Sequence, residues 1–258
     1  MNRCCFFDIN GYLLIRSDHT LPQLPDDLPD AFLLRAHAFS SNEYVLRVTD
    51  ADAAALQPLG LTPYPLRATW RKLSDAEYQH AGKAWELLYW SEQTRHCSVC
   101  GAPMQWHTGI SRCCTACQRE VWPQLNIAII VLVHRRDEAL LVKARSFRRD
   151  FYGLVAGFVE TGESLEECVA REVWEETRLH INNIRYFGSQ PWPYPLGLMV
   201  GFHADYVSGD IRFADGELSE GAFFRHDALP RHVDGTPAIP GTESMARQLI
   251  NDWISHNH

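Results

Sequence analysis

The chain is short of the features that mark membrane-spanning, secreted or disordered proteins. Its longest apolar run, Ile127 to Val133, is about a third of the ~20 residues that cross a bilayer. The run near the start, CCFF ahead of Asp8, is far shorter than the apolar core of a secretory signal, so a cytoplasmic location is expected. Positive charge is also scarce. With 24 basic against 32 acidic side chains the formal net charge is −8, which gives no global attraction for a polyphosphate backbone. Internal repeats and low-complexity tracts are absent. What is present, 46% hydrophobic and 22% charged residues over 258 positions, supports a sizeable core and two compact units, with room for a small insert between them.

Eight cysteines are unusual as disulfides in a reducing compartment, and four of them have metal-like spacing. CxxC occurs at Cys97 and Cys100 and again at Cys114 and Cys117, the two-knuckle pattern that puts four thiolates around one tetrahedral Zn²⁺. A redox dithiol would need one such pair and leave the second unexplained. Cys113 offers a CxxxC alternative with Cys117, but Cys114 reproduces the first knuckle, so Cys113 is expected to be free. Four protein ligands leave no open coordination position, which makes the site structural.

Short strands are expected at Tyr12 to Ile15, Phe32 to Leu34 and Tyr44 to Val48, and a helix from Asp75 to about Trp90, where Ser74 and Glu77 have capping-box spacing. Beyond Asn126 the pattern changes to apolar strands at Ile127 to Val133, Ala139 to Val142, Leu198 to Tyr206 and Ala222 to Phe224, around one strongly capped helix and a second near the end. The mixed order predicts an α+β protein with helices covering a mixed sheet. The expected division is a small α+β N-terminal domain over residues 1–92, a zinc ribbon over 93–124 and a third domain over 125–258.

The stretch GFVETGESLEECVAREVWEETRL, residues 157–179, carries the chemistry. Ser164 and Glu167 form a capping box, so a helix is expected from there to about Thr177. On such a helix Glu172 and Glu176 lie one turn apart with Glu175 beside them, within an arc of roughly 100°. A charge run of this kind can be a solvated face. With Glu163 at the helix start it is also what a hard cation such as Mg²⁺ or Mn²⁺ needs, and the cation would bring a phosphate.

Gly157, five residues, Glu163, seven residues and then Arg171-Glu172-Val173-Trp174-Glu175-Glu176 resembles the Nudix box, GX5EX7REUXEEXGU. One position departs: Arg178 stands where the box has a glycine that ends the helix in a left-handed conformation, which costs other residues roughly 1 kcal/mol. The resemblance implies a Nudix α/β/α sandwich with a mixed sheet and metal-dependent hydrolysis of a nucleoside diphosphate linked to another moiety. It further implies that Glu172 and Glu176 hold Mg²⁺ or Mn²⁺, that Glu176 activates the water with Glu175 assisting, and that the main-chain oxygen of Ala156 and a downstream glutamate complete the site. Glu217 in GELSEG fits that last role best, with Glu220 the close competitor.

Shortly after the box, SQPWPYPLG sets Pro191, Pro193 and Pro195 at alternate positions around Trp192 and Tyr194. Proline fixes φ near about −65° and confines the residue before it, so little entropy is left to lose when the rings stack a nicotinamide or adenine. A polyproline ligand for another protein, or a packed loop, would have the same sequence character. The stretch is similar to the SQPWPFPxS array of the NADH diphosphatase subgroup of Nudix hydrolases, which also has a zinc ribbon before the Nudix domain and is associated with removing NAD caps from RNA. Tyr194 keeps the ring of the array's phenylalanine, whereas Gly197 lacks the hydroxyl of its final serine.

That resemblance, over residues 97 to about 250, implies splitting of NAD(H) to NMN(H) and AMP, extension to NAD-capped RNA, a homodimer, and substrate contacts from Gln190 to Gly197, Leu196 included. Trp122 in EVWP, Ala246 in MARQLI and Arg67, the last as a basic residue that reaches a phosphate, are further candidates. Other readings are a Nudix diphosphatase for ADP-ribose or a diadenosine polyphosphate, and a zinc-ribbon regulator that senses a nucleotide. The intact Glu172, Glu175 and Glu176 argue against the sensor, because binding alone does not require a complete hydrolytic site.

Overall fold

The computed structural model describes residues 3–23, 35–145, 151–213, 216–232 and 235–256. The chain divides into two units, Met1–Leu125 with Pro191–Leu196, and Asn126–Gln190 with Gly197–His258. Six residues that follow the glutamate helix in sequence thus count with the N-terminal part. No helix among the described residues is long and apolar enough to cross a membrane.

In the N-terminal unit β1 (Arg3–Phe7), β2 (Tyr12–Ile15), β3 (His37–Ser40), β4 (Glu43–Arg47) and β5 (Thr62–Pro65) form one sheet in the order β3-β4-β1-β2-β5. The CCFF run is the central strand, and its alternation sends side chains to two cores. Cys5 and Phe7 join Ala81, Ala84 and Leu88, whereas Cys4 and Phe6 join Leu46, Val48 and Leu56. Leu46 lies on β4 and Val48 just beyond it, Leu56 ends the one-turn helix α1 (Ala53–Leu56), and Ala81, Ala84 and Leu88 lie on α2 (Asp75–Gln93). The capping box of α2 is made in both directions: the Glu77 N–H donates to Ser74 Oγ at 3.4 Å and the Ser74 N–H to the Glu77 carboxylate at 3.3 Å. The strand expected at Phe32 to Leu34 lies outside the described residues. A smaller sheet, β6 (Met104–Trp106), β7 (Arg112–Cys114) and β8 (Glu120–Val121), carries the cysteine knuckles.

The second unit contains β9 (Asn126–Arg135), β10 (Glu138–Ala144), β11 (Val155–Phe158), α3 (Leu165–Thr177), β12 (His180–Pro191), β13 (Gly197–Ser208), β14 (Leu218–Arg225) and α4 (Met245–Ser255). The sheet runs β12-β13-β9-β10-β14, with β11 also on β9; β13 is parallel to β9, and β10 and β11 are antiparallel to it. Strand β9 explains the sandwich. Its Ile129, Val131 and Val133 meet Val169 and Val173 of α3, and its Ile130 and Leu132 meet Leu249 and Ile250 of α4. Burying each such side chain is worth about 1.5–3 kcal/mol, so the unbroken apolar run stabilises a helix on either face. The four strands expected in this unit form; β11 and β12 were not expected, β12 because it is an edge strand whose mostly exposed, polar residues show no alternation.

Candidate active site

Helix α3 starts at its capping box, with the Glu167 N–H on Ser164 Oγ at 3.2 Å and the Ser164 N–H on the Glu167 carboxylate at 2.7 Å. It ends at Arg178, whose φ of 61° and ψ of 21° are those the box glycine would adopt. The Arg178 guanidinium lies over the Trp174 ring, 5.4 Å from its centroid.

Arg171 organises the carboxylates. It donates to Glu163 at 2.6 and 3.0 Å, to Glu172 at 2.8 Å and to Glu175 at 3.2 Å, and it also reaches the Phe158 carbonyl at 3.0 Å. Glu163 accepts in addition from the Glu160 N–H at 2.7 Å. These bonds, those of Arg171 foremost, hold the Glu163 carboxyl down to about 2. The repulsion expected within the cluster is therefore partly relieved by the protein's own guanidinium. Sequence reasoning missed this role; the signal was the four-residue spacing of Arg171 and Glu175 on a helix.

Glu172 is seated against the backbone of Gly157 on β11, so closely that a methyl group at that position would overlap its carboxylate. The box glycine thus provides room for the glutamate that follows on the helix. Burial pushes the Glu172 carboxyl up, against the pull of Arg171, and the charges of Glu175 and Glu217 push it the same way as burial. Ala156, Glu176 and Glu217 come together on a cavity of about 410 Å³ whose apolar wall includes Val142 and Leu218. Glu176 is 5% exposed. Glu175 is more than half exposed and lies outside the cavity lining, as does Glu220.

A β-bulge separates Glu217 from Glu220. Lys143 pairs with Glu220 across β10 and β14, but Ala144 pairs with Leu218, so Ser219 is the extra residue and the facing of the chain changes there. Glu220 is turned to the Lys143 ammonium at 3.2 Å and the Tyr152 hydroxyl at 3.0 Å. Beyond the bulge the Arg145 N–H donates to the Glu217 carbonyl at 2.8 Å.

The four knuckle sulfurs, those of Cys97, Cys100, Cys114 and Cys117, lie within 4.8 Å of one another. Cys97 and Cys117 are 3.6 Å apart and Cys100 and Cys114 3.5 Å, close to the ~3.8 Å edge of a tetrahedron with Zn–S bonds of about 2.3 Å. The N–H groups of Cys117 and Ala116, each 3.4 Å from the Cys114 sulfur, bring its thiol down to about 6. Cys113 points elsewhere, its sulfur 3.6 Å from Gln118 Oε1. Adjacent residues of β7 face opposite ways, which is why Cys114 and not Cys113 joins the cluster.

Residues Pro191 to Leu196 lie in the N-terminal unit. Pro193 packs on α2 at Gly82, where a Cβ would stand 3.2 Å from its ring. One turn earlier on that helix the Tyr78 hydroxyl is hydrogen-bonded to the Tyr194 hydroxyl, and Tyr194 is packed against the N-terminal core. Arg67 lies over Trp192 at 5.1 Å and Tyr194 at 5.9 Å, and the two rings meet edge to face at 5.2 Å. Pro191 and Pro195 are exposed and Leu196 is buried. Gln190 clamps the start of α4 by donating to the Glu243 carbonyl at 2.8 Å and accepting from the Met245 N–H at 2.9 Å. Gly197 opens β13 opposite Asn126. Ala246 is buried on α4, and Trp122 is 52% exposed.

A mixed sheet between two helices, with a capped helix of glutamates beside a cavity, defines a Nudix-class hydrolase domain. The NUDIX domain model matches residues 123–242. An NAD-capped RNA hydrolase NudC from Edwardsiella ictaluri is 40% identical over 246 residues, 93% of this chain and 91% of that protein. One from Chromobacterium violaceum is 36% identical over 250 residues, 96% of this chain and 90% of that protein. A NUDIX hydrolase crystal structure from Nitrosomonas europaea, 19% identical, shares the fold with a TM-score of 0.52 over 64% of this chain and 93% of its own. The chain belongs to the Nudix hydrolase family, in its NudC-type branch.

Proposed function

We propose that the chain hydrolyses the diphosphate bond of NAD(H), giving NMN(H) and AMP, and acts likewise on NAD-capped RNA 5′ ends. The observation that carries this is the extent of the likeness to the Edwardsiella NAD-capped RNA hydrolase, 40% identical over 93% of this chain and 91% of that protein. A cytoplasmic homodimer with structural Zn²⁺ on Cys97, Cys100, Cys114 and Cys117 belongs to the same reading.

The donor sets fit the metals. Carboxylates of Glu172, Glu176 and Glu217 and the Ala156 carbonyl are hard oxygens suited to Mg²⁺ or Mn²⁺, and four thiolates suit zinc. When bound, the divalent cation supplies the positive charge that neutralises the diphosphate and eases deprotonation of a water. Glu176, buried on the cavity, accepts the proton of that water. Glu172 is held for its task by Gly157 and Arg171, and Glu175 acts through Arg171. Trp192 stacks on the substrate ring, while Tyr194 and Pro193 anchor the segment on α2.

Incubation with NADH and Mn²⁺ or Mg²⁺ should release NMNH and AMP, and Glu176→Gln should lower kcat by at least about 100-fold. No products from the wild type, or undiminished turnover by the variant, would sink the assignment. Trp192→Ala should lose preference for NADH over ADP-ribose; faster cleavage of ADP-ribose by the wild type would favour the broader diphosphatase.

A further inference from the structure

We propose that Arg145 is a phosphate-binding residue of the cavity that holds Glu176 and Glu217, and that it grips the diphosphate of the substrate. This rests on the diphosphatase reading, because a diphosphate is the anion the cavity would receive.

The cavity presents acceptors: the carboxylates of Glu176 and Glu217 and the backbone at Ala156. A diphosphate is repelled by such a lining unless positive charge stands beside it. Among the described residues of the lining Arg145 is the one cation. The bulge at Ser219 fixes it there. Its N–H donates to the Glu217 carbonyl at 2.8 Å and its Nε to the Leu218 carbonyl at 3.2 Å, so the irregularity that brings Glu217 to the cavity also holds the arginine. Ser219 closes the bulge by donating its hydroxyl to the Lys143 carbonyl at 3.0 Å.

The nearby cation is used differently. Lys143, two residues back, is paired with Glu220 at 3.2 Å and does not line the cavity. A guanidinium carries five N–H donors in a planar fork, and the Leu218 bond uses one of them. That fork meets two phosphate oxygens in one fixed plane, a geometry that the rotatable ammonium of a lysine does not set. Arg145 therefore adds a directional contact to the charge that the divalent cation supplies.

The test is calorimetric binding of inorganic pyrophosphate with Mg²⁺, together with KM and kcat on NADH and ADP-ribose, for the full-length wild type, Arg145→Gln, Arg145→Lys and Lys143→Gln. Arg145→Gln should weaken pyrophosphate about 10- to 100-fold and raise KM for both nucleotides alike, since they share the diphosphate. Arg145→Lys should recover part of the loss, and Lys143→Gln should bind like the wild type. Unchanged pyrophosphate affinity in Arg145→Gln overturns the proposal, and so does a fall confined to thermal stability or kcat, which is what a purely structural Nε bond would give. If Arg145→Gln loses pyrophosphate while the wild type splits no NADH, the phosphate site stands and the assigned reaction falls. If the wild type splits NADH and Arg145→Gln binds pyrophosphate normally, the reverse holds.

Discussion

Gly157→Ala should be damaging for one nameable reason. The added methyl group would occupy the space of the Glu172 carboxylate. Non-bonded carbons settle about 3.5–4.0 Å apart, so Glu172 or β11 must shift by more than about 1 Å. Overfilling of this kind costs about 1–3 kcal/mol, and displacing a reactive-site group by about 1 Å costs on the order of 100-fold in rate. A double-mutant cycle separates the cause from a general intolerance of alanine. Removing the carboxylate with Glu172→Ala abolishes the overlap, so Gly157→Ala added to that background should be nearly neutral by urea unfolding, with a coupling energy of about 1–3 kcal/mol. An equal loss of stability in both backgrounds would refute the argument, since the glycine would then be required by its own backbone and not by Glu172.

Arg178→Gly should stabilise the protein by up to about 1 kcal/mol, raising the urea midpoint without changing the slope, because the left-handed helix end costs arginine more than glycine and the contact with Trp174 returns only part of the difference. A lower midpoint would mean that the contact outweighs the backbone strain. Cys114→Ser should lose bound zinc and melt at lower temperature, whereas Cys113→Ser should retain it, with metal content read by mass spectrometry of the purified protein. Equal loss in both variants would show that the cluster exchanges ligands.

The helices and the buried strands were legible because their signals are local. Ser74 with Glu77 and Ser164 with Glu167 marked the two helix starts, and the apolar run from Ile127 to Val133 marked a strand. The central strand from Arg3 to Phe7, between β4 and β2, was hidden because four apolar residues in a row have no period of their own. The shared helix face of Glu172, Glu175 and Glu176 is legible from spacing, but that Glu217 and not Glu220 lines the cavity depends on a bulge that no pattern of residues announces. The same is true of Arg145 and of the pairing between Tyr78 and Tyr194, which join positions far apart in the chain. Tyr194 shows this best: its sequence context offers a ring, but only the fold shows its hydroxyl bonded to Tyr78 of α2 and its ring packed against the N-terminal core.

The assignment of Pro191–Leu196 to the N-terminal unit bears on how this protein can be cut and recombined. A fragment beginning at residue 126 would retain Gly157, Glu172, Glu176 and Glu217 with the cavity, yet carry a six-residue guest shaped for a host it no longer has. Pro193 would lose the notch at Gly82, and Tyr194 the hydroxyl of Tyr78. A chimera that exchanges the first 125 residues must therefore transplant that guest as well, or redesign the notch to receive it. The portable module is two pieces of chain, not one.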